Sequence, residues 1–121
     1  MNPNVVEYTV QLAALASLVD GQASDQEKDE IVKSVSHHLY CSPEQVAPML
    51  DRWLYEYKER GKVGSNPRNA VHFAIQALQG LQEFRDKHIA FYICDRVVRS
   101  DSRIAPEENY FIRDLSRLVF S

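Results

Sequence analysis

Four of the five prolines stand where a helix can begin, and this placement restricts the chain to a succession of helices. Asn2-Pro3, Ser42-Pro43 and Asn66-Pro67 each set an N-cap side chain before a proline at the first helical position. There the missing N–H costs nothing and the fixed φ is already helical. Pro106 opens a first turn with Glu107 and Glu108 in the same way. Gly21 and Gly61 follow apolar stretches and are expected as left-handed residues just past helix ends, with Gly80 within or at the end of another helix.

Between these marks the apolar spacing is helical. Val6, Val10, Leu12, Ala13, Ala16 and Val19 form a broad stripe in a first helix over 4–20, and Ile31, Val32, Val35 and Leu39 do so in a second over 25–40. A third helix over 43–60 carries Val46, Met49, Leu50, Trp53, Leu54 and Tyr57, with a kink or a separate first turn expected at Pro48. GKVGSNP (61–67) is the clearest loop. Helices follow over 67–80, 83–99 and 106–120, and the fifth, with Ile89, Ala90, Ile93, Cys94, Val97 and Val98, is the candidate central one. No useful stretch alternates with period two. The expected fold is all-α, a compact bundle of about six to seven helices in one domain over 1–121.

The composition excludes several classes. With 45% apolar and 26% charged residues the chain is not of the disordered type. A net charge of −3 with scattered basic residues argues against nucleic acid as a partner. MNPNVVEY has no basic and apolar signal pattern, and no run is long enough to cross a membrane, so a cytoplasmic protein without direct membrane insertion is expected. Cys41 and Cys94 stand far apart without a CxxC, as reduced thiols do. Other proteins are the expected partners, and the oligomeric state is open, a homodimer included.

The segment LVDGQASDQEKDEI (18–31) holds the most specific signal. Shifting the chain by 81 residues pairs DGQASDQEKDEI (20–31) with DSRIAPEENYFI (101–112), so that Asp20 meets Asp101, Glu27 meets Glu108 and Ile31 meets Ile112. Each copy joins two apolar helices, which suggests two helix-loop-helix hairpins related by an approximate two-fold axis. The D-G-x-apolar-x-x-x-E pattern resembles the second half of a calcium-binding EF-hand loop. Its first two ligand positions, however, would be Ala16 and Leu18 in one copy and Val97 and Arg99 in the other, none able to hold calcium. Ser24 to Glu27 also reads as a capping box, with Glu108 at the same third position after its own helix start. Asp20 and Asp101 sit at helix C-termini, where the macrodipole disfavours an anion, so each needs loop amides or a cation as a partner.

At these residues the chain resembles the TerB-like family of tellurite-resistance proteins, whose hallmark is a small-residue-rich helix ending in a-D-G-x-i-x-x-x-E, given twice. LAALASLVDGQASDQE matches the first copy well, and YICDRVVRSDSRIAPEE keeps Asp101, Ile104 and Glu108 but has Ser102 in place of glycine and Arg99 in place of a small apolar residue. The resemblance implies an all-helical fold with paired hairpins, cytoplasmic residence, a role in metal or oxyanion stress and no catalysis. It also implies an acidic metal-binding surface, for which Asp20, Glu27, Asp101 and Glu108 are the candidates. No cofactor is expected to be required; the candidate ligand is a divalent cation, and these hard oxygen donors suit calcium, magnesium or manganese. The alternative is a structural or protein-interaction adaptor without metal, in which the acidic residues only cap helices.

Other constellations carry less. His37 and His38 are adjacent on a helix and point about 100° apart, unlike an HxxxH pair. His72 and His88 are isolated. No nucleophile motif, Walker loop or GxGxxG can be read. Asp25, Glu27, Asp29 and Glu30 form an acidic run expected to be a solvated face. Trp53 and Tyr57 are expected in the core, with Tyr55 free for a partner surface.

Overall fold

A computed structural model describes residues 3–100 and 105–120, and these are all helix and connecting turns, without a strand. The elements are α1 (Pro3–Leu18), α2 (Asp25–His38), α3 (Pro43–Tyr55), a π-helical segment (Glu56–Arg60), α4 (Pro67–Gly80), α5 (Phe84–Arg99) and α6 (Pro106–Phe120). The starts fall where the caps place them. Ser42 accepts from the Gln45 amide and Asn66 from the Arg68 amide, each ahead of a proline that has no N–H to satisfy.

The helix at the centre is α1, not α5 as the apolar pattern suggested. α1 touches every other helix, whereas α5 meets α1, α2 and α6. Thr9 to Val19 are buried without interruption. A helix surrounded on all sides needs apolar or small residues on all sides, and VQLAALASLV supplies them. Ala13, Ala14 and Ala16 are fully buried, which lets neighbouring helices approach its backbone.

Three expectations are corrected. α3 is one helix through Pro48 rather than a separate first turn followed by a second helix, and a π-helical turn after it carries Tyr57 into the core beside Trp53 and Phe73. Gly61 is not left-handed (φ −79°), and Lys62 takes that conformation instead (φ 53°). Residue 61 is glycine for space, since a Cβ there would lie 2.8 Å from the Phe73 ring. Ile75 shares the helical spacing of Val71, Ala74 and Leu78 in α4, which predicts it on the packed face, yet it is 39% exposed.

Gly21 does hold the expected left-handed position (φ 108°), ending α1 through its amide bond to the Leu18 carbonyl at 2.8 Å. A Cβ on Gly64 would lie 3.0 Å from the Cα of Gly21, so the α3–α4 loop rests its backbone directly on the α1–α2 turn. Cys41 is half-buried and Cys94 buried, both as free thiols.

Candidate functional site

The two hairpins, α1–α2 and α5–α6, each begin their second helix with a glutamate at the third position, and the fold brings these glutamates together. At α2, Glu27 Oε1 accepts from the Ser24 amide at 2.9 Å while the Glu27 amide donates to Ser24 Oγ at 3.1 Å, the reciprocal capping box expected from the sequence. At α6, Glu108 Oε1 accepts from the Ala105 amide at 3.0 Å. Alanine has no hydroxyl to return the bond, and the Glu108 amide bonds to the Ala105 carbonyl at 3.0 Å instead. Ser24→Ala is expected to cost about 1 kcal/mol in urea unfolding, because it removes the hydroxyl acceptor and leaves the glutamate half of the box in place.

Capping uses one oxygen of each carboxyl group. The other oxygen, Oε2 of Glu27 and of Glu108, is buried and has no hydrogen-bond donor among the described residues. Both side chains are only 2% exposed, so the reading of Glu27 as part of a solvated acidic face is corrected, while Asp25 and Asp29 of that run are exposed. The first turn of a helix usually presents its acids to water. Here α2 and α6 both pack on α1, and Glu27 and Glu108 are covered.

The two carboxyl groups are close enough to share a proton. Burial raises the proton affinity of both. For Glu108 burial, the neighbouring Glu27 and the charge of Asp20 outweigh the Ala105 amide and push the pKa up to about 8. For Glu27 burial again dominates, with Asp20 adding to it and the bonds from Ser24 opposing. The pair therefore behaves as one unit that keeps a proton near neutral pH, with Glu108 as the main holder.

Asp20 is exposed, and its Oδ1 accepts from the Gln22 amide at 3.3 Å, so a loop amide answers the unfavourable helix-end position. Its charge reaches both glutamates. Asp101 lies outside the described residues. Of the four sequence candidates, then, Glu27 and Glu108 are brought together with Asp20 as their electrostatic neighbour. Among the described residues no three His, Cys, Asp or Glu side chains form a ligand group.

Two buried carboxylate oxygens without donors are what a hard cation requires, but two carboxylates fall well short of the six to eight oxygens that calcium takes. Magnesium and manganese fit better, because magnesium commonly uses one or two carboxylates and completes an octahedron with other oxygens. The remaining histidines are as expected in part: His72 and His88 are exposed, while His38 is half-buried against Tyr92. Among the described residues no helix is long and apolar enough to cross a membrane. No family model, no curated protein and no solved structure matches the chain.

Proposed function

We propose that this chain is a non-enzymatic TerB-like stress-response module that binds a divalent cation between its two hairpins, through Glu27 and Glu108 with Asp20 nearby. The observation that carries this reading is the pair of buried Oε2 atoms, one from each hairpin, left without a donor after both caps are made. Capping accounts for Oε1 and gives no reason for two carboxylates to be buried face to face, an arrangement that costs several kcal/mol unless a proton or cation lies between them. The setting in tellurite or metal stress is supported by the motif resemblance alone. Cytoplasmic residence and protein partners belong to the same reading, with Tyr55, which is 60% exposed, as a contact candidate.

The second reading is an adaptor without metal, in which a shared proton fills the place of the cation. It is favoured by the capping roles of both glutamates and by the lack of a three-residue ligand group among the described residues. Thermal unfolding of chelator-treated protein separates the two. Millimolar manganese or magnesium is expected to raise the melting temperature by a few degrees in the wild type and to leave Glu27→Gln and Glu108→Gln unmoved. Glutamine keeps the capping acceptor in both variants, so loss of the shift reports the second oxygen. An unmoved wild type sinks the cation and leaves the adaptor.

A further inference from the structure

Between α2 and α5, away from the glutamate pair, lies a cleft of about 350 Å³ lined by Lys33, His37, His38, Tyr92 and Arg96, with Glu30 and Ser34. Arg96 spans it. Its Nη1 donates to the Tyr92 hydroxyl at 3.3 Å, its Nε lies 3.7 Å from Glu30 Oε2, and its guanidinium faces the Tyr92 ring at 5.9 Å. The Glu30 carboxylate also accepts from the Ser34 hydroxyl, so it is engaged by two groups, and it is only 16% exposed. Arg96 remains 48% exposed, with N–H groups beyond those two contacts. The Lys33 side chain, one turn from His37, forms no ion pair or hydrogen bond with any described residue.

His38 packs edge-on against both His37 (5.0 Å between ring centres) and Tyr92 (5.4 Å). Burial first, then the positive neighbours His37 and Arg96, hold its proton affinity below the ordinary value, and Glu30 opposes them without prevailing. At neutral pH the cleft thus sets the charges of Lys33 and Arg96 against the single carboxylate of Glu30, in a chain of net charge −3. An anion placed there would meet an arginine already oriented by α5, an unengaged lysine, and two imidazoles whose protonation it would favour.

We propose that this cleft binds a phosphoryl group, as free phosphate or a small phosphate ester, with Arg96 and Lys33 supplying charge and His37 and His38 supplying ring N–H donors. The groups facing the histidines are Glu30 and Lys33 on α2 and Tyr92 and Arg96 on α5, so the two cations and the ring N–H groups converge on one side of the cleft from both helices.

The test titrates inorganic phosphate and phenyl phosphate into the full chain at about pH 6 and constant ionic strength, following the imidazole resonances of His37 and His38. Saturable shifts are expected, weakened about tenfold in Arg96→Gln and in Lys33→Gln, the loss typical of one charge-assisted hydrogen bond, and unchanged in Lys58→Gln. Lys33 is exposed and engages no described neighbour, so its variant keeps the fold even where Arg96→Gln does not. Tighter binding of phenyl phosphate assigns the site to an ester, and tighter binding of inorganic phosphate assigns it to the free ion. Non-saturating shifts with both anions, or an equal loss in Lys58→Gln, overturn the proposal.

Discussion

In chelator-treated protein, the free energy of unfolding is expected to fall by about 3 kcal/mol as pH rises from about 5 to about 9, and Glu108→Gln to remove most of that fall. In the unfolded chain Glu108 titrates near its ordinary 4.5, and in the folded chain burial beside Glu27 pushes it up to about 8. Between those values the folded state holds a proton that the unfolded state has released. Stability is therefore complete below the lower value, and it drains away as pH climbs through the upper one. Glu27 is raised as well and acts in the same direction.

This slope is opposite to that of a salt-bridged carboxylate, and against a typical total of about 5–15 kcal/mol it is a large fraction. The glutamine variant keeps an acceptor for the Ala105 amide and offers Glu27 a permanent donor. It should exceed the wild type in stability at about pH 8 while matching it at about pH 5. Urea midpoints across this range decide the matter, and an unchanged slope in Glu108→Gln would place the titration elsewhere.

The second large effect concerns α1. Leu15→Ala is expected to cost about 3 kcal/mol, since Leu15 is fully buried and its removal leaves a cavity between helices that cannot all close on it. Ala13→Leu should cost about 2 kcal/mol or more for the opposite reason, because Ala13 is equally buried and no side of α1 faces water along Thr9 to Val19. Gln79→Ala, exposed late in α4, should stay within about 0.5 kcal/mol. Equilibrium urea unfolding of the three variants distinguishes a helix enclosed on every side from one with a single packed face, in which the alanine substitution would be absorbed.

The helices were legible because their signals are local. A proline after Ser42 or Asn66 and a capping box at Ser24 act within one turn, and their helices start where those residues stand. The central position of α1 was less legible. Its stripe of valines and leucines is as strong as the isoleucine and valine stripe of α5, and the difference lies in the alanines, which count little as apolar residues but decide how closely other helices approach.

At the site, the capping of Glu27 could be read from three neighbouring residues, but its burial depended on α6, far along the chain. The one signal that reaches so far is the 81-residue echo, which pairs Glu27 with Glu108, the two residues the fold brings together. Glu30 and His38 carried no such signal. Assigned to a solvated run and a weak pair, they line a cleft with Arg96 that only the packing of α2 on α5 creates.

The contact of Gly64 on Gly21 couples two positions that the primary structure keeps apart. Gly21 is required by its own backbone angle, whereas Gly64 is required by the nearness of Gly21, so what residue 64 tolerates is set at residue 21. Substitutions at the two should be epistatic: a side chain at 64 that displaces the turn changes the penalty for one at 21. The acidic turn is thereby held in register by an uncharged backbone, and drift in a loop remote in sequence would reach Asp20 before any carboxylate was altered.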